Sequence, residues 1–330
     1  MTQAPSGEDS LIARYFKPLA TDPGAFGLID DAATIPAGTD DLVVNTDAIV
    51  EGVHYLPEDP ADTIARKALR VNLSDLAAKG AVPAGFLLTL ALRHKDEAWL
   101  AAFACGLGED AAAFGCPLLG GDTVSTPGPV MISITAWGRV PKGRMVHRFG
   151  ARPGDRVMVT GTIGDAALGL RILQGKAEAA ALADDPAVRD MLIGRYRVPQ
   201  PRAALAAAVR EFATAAMDVS DGLAGDLAKL CAASRVSADI ALPHIPTSAA
   251  AAKLLTMGVV QPETLISGGD DYEILCAIPP AQCPSFRTAA GLAGVAVADI
   301  GVIVDGPGAP RVLDGQGRPV ILQRLSYSHF

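Results

Sequence analysis

Aspartate residues recur at the ends of apolar segments throughout the chain, in short clusters flanked by glycine or serine. A carboxylate beside a strand is costly to bury without a partner. Hard divalent ions take oxygen ligands, and Mg²⁺ commonly combines one or two carboxylates with phosphate oxygens. The pattern therefore predicts a site for a metal-bound polyphosphate. The clusters contain Asp30 and Asp31, Asp47, Asp75, Asp122, Asp218 and Asp221, and Asp270 and Asp271.

Three of these clusters carry further groups that suit a metal or a phosphate. The sequence NTD at 45–47 adds an amide and a hydroxyl or carbonyl oxygen directly after an apolar run. GGD at 120–122 places a carboxylate after two residues that permit close backbone approach. DVSD at 218–221 holds more acid and hydroxyl groups than a helix cap needs. Each cluster alone has an ordinary explanation as a cap or a turn, and it is their joint occurrence that favours a multi-metal site.

Other candidate residues have equally good structural explanations. Asp30 could cap a helix on a surface loop, and His54 has no Cys or His partner at zinc spacing. Arg148 and Arg152 either belong to a solvated linker or bind a nucleotide phosphate. TGTIGDAALG at 160–169 could hold a phosphate on its amides, but it lacks a known phosphate-loop spacing, and a tight turn is favoured.

Composition argues against several classes of protein. The chain has 330 residues and a net charge of −8, which disfavours a general nucleic-acid binder. No apolar stretch reaches the length of a membrane span, and the N-terminal sequence lacks the basic and apolar regions of a signal peptide. Five scattered cysteines without a C-x-x-C pair indicate free thiols. We expect a cytoplasmic protein that binds neither nucleic acid nor membrane.

Predicted strands and helices alternate along the chain, which indicates an α/β or α+β class. In the helix predicted at 62–80, Asn72, Asp75 and Lys79 fall on one face, so Asp75 can point into a site. A Gly-, Pro- and Arg-rich segment at 141–157 divides the chain into predicted domains at 1–140 and 141–330. The sequence also predicts strands at 42–50, 84–92 and 129–140, a short strand and turn at 116–124, and helices at 95–115 and 176–195.

A series of motifs follows one another in a specific order. They are IDDAA, NTDAIVEGVHY, VNLSDLAAKGAVP, LLGGDT, HRFGARPGD, TGTIGD, MDVSDGLAGDL, SGGDDYEIL and SYSHF. The set, which covers nearly the whole chain, resembles the thiamine-monophosphate kinase family of the aminoimidazole ribonucleotide synthetase-like superfamily. The resemblance implies a homodimer in which the sheets of the N-terminal α/β domains, which bind ATP and magnesium, join across the dimer. A C-terminal α/β domain then completes the active site, and ATP lies in a cleft shared between domains.

The resemblance also implies an activity and a set of site residues. Family members transfer the γ-phosphoryl group of ATP to thiamine monophosphate and make thiamine pyrophosphate. By motif position, the ligands of several Mg²⁺ ions are Asp30, Asn45, Thr46, Asp47, Asp75, Asp122, Asp218 and Asp221. The nucleotide contacts are Gly121, Asp122, Arg148 and Ser220, and the contacts to the thiamine substrate are His54, Asp270 and Tyr327.

Three positions depart from the family pattern. Asp270 stands where the family motif has Glu, so the carboxylate is retained on a shorter side chain. Tyr327 replaces a frequent Trp and can still stack on a cationic thiazolium ring. Cys105 stands where relatives often place an aromatic ring beside the nucleotide, so this stacking contact is not expected.

The implied reaction needs little acid–base chemistry, because the acceptor is already a phosphate. No side chain is assigned as a general acid or base. Several Mg²⁺ ions would offset the repulsion between two polyanions and align them for direct in-line transfer without a phosphoenzyme. Two alternatives stay open, namely another ATP-using enzyme of the superfamily and a non-catalytic nucleotide sensor. Selenophosphate synthetase normally needs a reactive Cys or selenocysteine near its N-terminus, and it is disfavoured because the first cysteine here is Cys105. The hydrogenase-maturation dehydratase normally ends in a reactive Cys, and it is disfavoured because this sequence ends in Ser-His-Phe.

Overall fold

The computed structural model describes residues 11–28, 35 and 38–326. The chain divides into two compact units. The first unit comprises Met1–Leu76 and Val82–Gly143, and the second comprises Ala77–Ala81 and Arg144–Phe330. Each unit has its own β-sheet together with helices, so the predicted mixed α/β class is confirmed. Within the described ranges, no helix is long and apolar enough to cross a membrane.

The first unit is built on a four-stranded sheet of order β1-β4-β2-β3. Strand β4 pairs antiparallel with β1 and β2, whereas β2 and β3 are parallel. The predicted strands and both long predicted helices are present. The strands are β1 (Asp41–Val50), β2 (Val82–Leu92), β3 (Leu118–Ser125) and β4 (Met131–Val140), and the helices are α1 (Ala61–Ala78) and α2 (Glu97–Ala113), with short helical turns at Ile12–Phe16, Lys17–Leu19 and Pro23–Leu28.

The two faces of this sheet differ sharply in burial. Successive side chains of a strand point to opposite faces, and the pairing of β1, β4, β2 and β3 assigns each residue to one of them. One face is buried and carries Ile49, Leu88, Leu90, Ile132 and Ile134. The other face, called the open face below, carries large apolar side chains that are exposed. These are Leu42, Val44, Val82, Leu87 and Val124.

Strand β3 is longer than the sequence predicted. The sequence predicts a short strand and a turn within 116–124, yet the strand continues through GGD to Ser125. The reason is the close approach of β3 to β2. A Cβ atom added at Gly121 would lie 1.9 Å from the main-chain oxygen of Leu88. Only glycine allows this pairing at position 121, so Gly121 lets the strand continue here.

The second unit contains a six-stranded sheet of order β10-β7-β9-β5-β8-β6, in which only the β10–β7 pair is parallel. Adjacent residues of the central strand β5 enter different apolar clusters, with Val157 and Val159 in one and Met158 in the other, so both faces are covered. The strands are β5 (Arg156–Thr160), β6 (Ala215–Asp218), β7 (Ser237–Ala241), β8 (Ile274–Ile278), β9 (Val297–Val304) and β10 (Arg311–Leu313). The helices are α3 (Asp165–Leu173), α4 (Ala177–Ala181), α5 (Pro186–Arg197), α6 (Ala206–Phe212), α7 (Leu223–Ser234), α8 (Ala249–Thr256), α9 (Pro262–Ile266) and α10 (Cys283–Leu292).

The Ala-rich segment at 176–195 forms two helices instead of the single helix predicted. Helix α4 ends before 182, and α5 begins at Pro186. The side chain of Asp185 accepts a hydrogen bond from the amide of Val188, and Pro186 occupies the first helical position. Both are start signals for a new helix, and they override the continuous alanine pattern.

Candidate active site

The first candidate cluster joins strand β1 to helix α1. The side-chain Nδ2 of Asn45 donates to Oδ2 of Asp75 at 3.0 Å. It also approaches Oδ1 of Asn72 at 3.2 Å and the Asn72 carbonyl oxygen at 3.1 Å. Asn72 is fully buried, and its own amide donates to the Ala68 carbonyl one turn earlier at 3.0 Å. Asn72 and Asp75 therefore share one face of α1, as the helical spacing predicted.

The other end of the Asn45 amide is suited to a cation. Three oxygen atoms surround Nδ2, which fixes the orientation of the amide. Its Oδ1 is buried and has no hydrogen-bond partner among the described residues, an arrangement that is costly unless a ligand satisfies it. A buried amide oxygen that lacks a partner in the described part of the protein is a suitable donor for Mg²⁺. Across residues 11–28, 35 and 38–326, no group of three or more His, Cys, Asp or Glu side chains is placed to hold a metal ion.

Strand alternation separates Thr46 from its two neighbours. Asn45 and Asp47 lie on the face of the sheet that α1 contacts, whereas Thr46 lies on the open face. There its Oγ1 donates to the Ile134 carbonyl at 3.1 Å and accepts from Oγ1 of Thr135 at 3.1 Å. The Thr46 hydroxyl is thus used within the sheet, on the side away from Asn45.

Asp122 lies at the opposite edge of the sheet from Asp47. Two strands intervene between β1 and β3, which corresponds to about 14 Å at ordinary strand spacing. Asp122 pairs with Thr89 and shares the open face with Thr46. Within the first unit the structure therefore brings Asn45 and Asp75 together, while Asp122 occupies a separate place.

His54 lies in a tight turn directly after β1. Its Nδ1 accepts a hydrogen bond from the amide of Val50 at 3.0 Å. Because this nitrogen is an acceptor, a neutral ring carries its proton on Nε2. The fully buried Lys67 of α1 donates from Nζ to the His54 carbonyl at 2.8 Å. The imidazole is therefore oriented by β1 and its backbone is held by a buried ammonium group.

The second candidate cluster is the loop DVSDG at 218–222, which connects β6 to α7. One carboxylate oxygen of Asp226, Oδ2, accepts from the amides of Ser220 and Asp221, each at 3.0 Å. Its Oδ1 accepts from Nζ of Lys229 at 2.8 Å. Lys229 also donates to Oδ2 of Asp221. The loop is therefore held by a fully buried carboxylate and by an ammonium group that joins two acids.

The ionisation of this cluster reflects both burial and pairing. Burial raises the pKa of the Asp226 carboxyl, against the lowering effect of Lys229 and of the Asp221 amide. Burial lowers the pKa of Lys229, but its hydrogen bonds to Asp221 and Asp226 outweigh this and the net shift is upward. Lys229 therefore stays charged at neutral pH.

The loop SGGDDYE at 267–273 is fastened to the DVSDG loop through the main chain. The amide of Asp270 donates to the Ser220 carbonyl at 2.8 Å, and the amide of Tyr272 donates to the Val219 carbonyl at 2.8 Å. Asp270 and Tyr272 both have positive φ, at 64° and 51°. Aspartate tolerates the left-handed region better than most residues. This gives a physical reason for Asp in place of the longer Glu at this position.

The second acid of this loop turns inward. The amide of Gly164 donates to both carboxylate oxygens of Asp271, at 2.9 and 3.0 Å. Gly164 precedes α3 in the TGTIGD motif, so an internal carboxylate takes the place where a phosphate could bind. Burial raises the pKa of Asp271 well above its usual range, partly offset by the Gly164 amide and reinforced by Asp165. TGTIGD is thus a structural turn, as favoured from the sequence.

The last acid of the loop, Glu273, is also structural. It is fully buried, and Oε2 accepts from Oγ1 of Thr160 at 2.6 Å and from Nε of Arg202 at 2.6 Å. Its Oε1 accepts from Arg195 at 2.8 Å and from Arg202. A Cβ atom added at Gly161 would lie 2.1 Å from Oε1, so the glycine makes room for the carboxylate. Of the acids in this motif, Asp271 and Glu273 hold the fold.

Arg148 is exposed on a segment that is anchored at both sides. The His147 carbonyl accepts from the amide of Ala216 at 2.9 Å, and the amide of Gly150 donates to Oγ of Ser234 at 3.2 Å. The segment therefore holds the Arg148 backbone near β6 and the end of α7, in the same unit as the DVSDG loop.

Comparisons with known proteins agree with this arrangement. Residues 29–140 match the family described as AIR synthase related protein, N-terminal domain, and residues 152–313 match AIR synthase related protein, C-terminal domain. A thiamine-monophosphate kinase from Caulobacter vibrioides is 45% identical over 332 residues, which cover 99% of this chain and 92% of that protein. The chain belongs to the thiamine-monophosphate kinase family.

Solved structures lead to the same family. The thiamine-monophosphate kinase from Stenotrophomonas maltophilia K279a has a TM-score of 0.82 and 37% identity, over 95% of this chain and 98% of that one. AaThiL complexed with AMPPCP and TMP has a TM-score of 0.75 and 28% identity, over 93% of this chain and 97% of that one.

Two of the residues predicted for a thiamine-monophosphate kinase, Asp30 and Tyr327, lie outside the described residues. Reasoning from the sequence missed Lys67, Asp226, Lys229 and Glu273 as parts of the site or its support. Asp226 and Lys229 stand three residues apart in α7, a spacing that places them on one face of a helix. That spacing was the available signal for the pair.

Proposed function

We propose that this chain transfers the γ-phosphoryl group of ATP to thiamine monophosphate and so makes thiamine pyrophosphate. The observation that carries the proposal is the 45% identity over nearly the whole chain to a thiamine-monophosphate kinase. The likeness to AaThiL, complexed with AMPPCP and TMP, supports an ATP-like donor and a TMP acceptor.

Magnesium is proposed as the metal, and the buried, unpartnered Oδ1 of Asn45 supports it. When bound, magnesium supplies charge neutralisation between the two polyanions. The residues that would hold the ions are Asp30, Asn45, Asp47, Asp75, Asp122 and Asp218. Thr46 would contribute its main-chain oxygen, because its hydroxyl is hydrogen-bonded on the other face of the sheet.

The remaining groups bind and orient the substrates. Gly121 lets the backbone of β3 approach closely, and Ser220 lies in a loop fixed by Asp226. The guanidinium of Arg148 matches the geometry of a phosphate. We propose that these three residues, together with Asp122, contact the nucleotide.

His54 is proposed to donate from Nε2 to the thiamine substrate, because its Nδ1 already accepts from Val50. Such a ring positions an anion and takes no proton from it, which suits an acceptor that is already a phosphate. Asp270 and Tyr327 are the other proposed contacts to this substrate. Transfer is direct, with no phosphorylated side chain.

The chain is proposed to form a homodimer through the open face of the first sheet. Five large apolar side chains are exposed on this single face, with Val44 at 61% and Val82 at 57%. Several large apolar side chains exposed on one face indicate an interaction site. A two-fold contact would bury the same patch on both copies.

The test of function is direct. The protein is incubated with ATP, Mg²⁺ and thiamine monophosphate, and thiamine pyrophosphate is measured. Free thiamine and aminoimidazole precursors serve as comparison substrates. Folded protein that makes no thiamine pyrophosphate overturns the proposal. With a γ-phosphate made chiral by isotopes, direct transfer gives inversion, and retention would indicate a phosphoenzyme.

A further inference from the structure

We propose that Lys229 is the resident cation of the DVSDG loop, so that Asp221 positions this loop and does not coordinate magnesium. This proposal rests on one part of the proposed function, namely that the protein binds magnesium and a nucleotide. Lys229 and Asp226 are then positioning residues for Ser220, the proposed nucleotide contact.

The ammonium group of Lys229 already supplies a positive charge to the Asp221 carboxylate. Nζ donates to Oδ2 of Asp221 and, at 2.8 Å, to Oδ1 of Asp226. Lysine offers three donors and no acceptor, so it satisfies carboxylates as a cation does. A divalent ion on Asp221 would meet this positive charge at short range.

Lys229 cannot leave this place easily, because a buried group anchors it. Asp226 is fully buried, whereas the side chains of Asp221 and Lys229 are 35% and 39% exposed. Expelling Lys229 would leave the Asp226 carboxylate buried with only the two amides of Ser220 and Asp221 as partners. Loss of one partner from a buried ion pair is strongly unfavourable.

The contrast with Asn45 supports this division of roles. At Asn45 a buried oxygen lacks a partner among the described residues, and a metal would satisfy it. At Asp221 the carboxylate already has a cation, and the main-chain amide of the same residue is bound to Asp226. The Asn45 cluster therefore needs a cation from solution, whereas the Asp221 cluster already contains one.

The experiment counts bound ions without using the reaction. Mn²⁺ binding is titrated by electron paramagnetic resonance in the presence of AMPPCP, for the wild type, Asp221→Asn, Lys229→Met and the double variant. We expect Asp221→Asn to bind as many ions as the wild type, with an affinity within about twofold. Lys229→Met should gain an ion, or tighten one by about tenfold or more, and the double variant should lose this gain.

Two results would overturn the proposal. One is the loss of an ion in Asp221→Asn, and the other is unchanged ion binding in Lys229→Met. Lys253→Ala is the control, since Lys253 is an exposed lysine of the same unit that pairs with Asp185. Circular dichroism confirms that each variant is folded. Because thiamine monophosphate is absent, a failure of the proposed reaction would leave this result unaffected.

Discussion

Both carboxylate oxygens of Asp271 accept from the main-chain amide of Gly164, inside the protein and at the start of helix α3. A buried acid thus performs the capping that a bound phosphate performs in nucleotide-binding loops. The glycine is required, because φ is +92° and an added Cβ would lie 2.6 Å from the Cβ of Leu265.

This contact predicts a specific pH dependence. Since the folded-state pKa of Asp271 is raised, mainly by burial, its ionised form is disfavoured in the folded state. The free energy of unfolding should therefore fall as the pH rises from the ordinary carboxyl pKa towards the raised one. Urea unfolding at pH 5 and pH 8 should show a smaller decline for Asp271→Asn, whose amide keeps an oxygen for Gly164. An equal decline in both proteins would contradict this.

Glu273 should be among the most sensitive positions for stability. Glu273→Gln removes the charge that pairs with Arg195 and Arg202, and both guanidinium groups are largely buried. We expect a loss of about 3–5 kcal/mol in the free energy of unfolding. Glu211→Gln, which breaks the exposed pair with Arg144, should cost less than about 1 kcal/mol. Denaturant unfolding measures both, and similar losses would show that the buried network is unimportant.

Asn45 should control the use of magnesium. Asn45→Ala removes the unpartnered oxygen and releases Asp75 from its amide. The Mg²⁺ concentration for half-maximal activity should rise about tenfold or more. The control Thr63→Ala alters a hydroxyl in the first turn of the same helix and should leave this concentration unchanged. An unaltered magnesium requirement in Asn45→Ala would remove Asn45 from the metal site.

The proposal that the open face of the first sheet forms the dimer interface can be tested by introducing a charge there. Val44→Glu places a carboxylate at its most exposed apolar position. Burying that charge in a dimer costs several kcal/mol, so the dimer dissociation constant should rise by about a hundredfold or more. Analytical ultracentrifugation reports the mass. Leu292→Glu, at an 87% exposed site in the second unit, should stay dimeric, and a dimeric Val44→Glu would place the interface elsewhere.

The cysteines should differ widely in reactivity. Cys105 is exposed and Cys283 half-buried, whereas Cys116, Cys231 and Cys276 are buried. Burial raises the pKa of Cys116 to about 12 and that of Cys231 to about 11. A thiol reagent at pH 8 should therefore label two thiols before unfolding and five after it. More than two in the folded protein would contradict the burial.

Glu109 should slow the reaction of Cys105. Its hydrogen bond raises the pKa of this thiol, so less thiolate is present at a given pH. Glu109→Gln should speed labelling of Cys105 at pH 8, and a rate unchanged from the wild type would count against the contact.

The sequence predicted what depends on local spacing. The helical period placed Asn72 and Asp75 on one face, and both contact Asn45. Lys79 was placed on that face too, but α1 ends at Ala78 and Lys79 donates instead to the Ala216 carbonyl at 2.8 Å. Periodicity fails where the helix stops.

Partners that are distant in sequence could not be predicted in this way. Glu273 reads as one more acid of an exposed turn, yet it pairs with Arg202, 71 residues away. The three-residue spacing of Asp226 and Lys229 predicts a helical ion pair, but it does not reveal that Asp226 is fully buried. Its role depends on a backbone loop that folds back over the start of the helix.

The two main-chain hydrogen bonds that join the DVSDG and SGGDDYE loops also bear on how the protein responds to its substrates. The carbonyls of Val219 and Ser220 accept hydrogen bonds from the amides of Tyr272 and Asp270. The two loops are therefore expected to move together, although about fifty residues separate them in sequence. We expect a displacement of one loop by a bound molecule to shift the other. Binding at the proposed nucleotide contact Ser220 is therefore expected to change the affinity at the proposed thiamine contact Asp270, and the reverse.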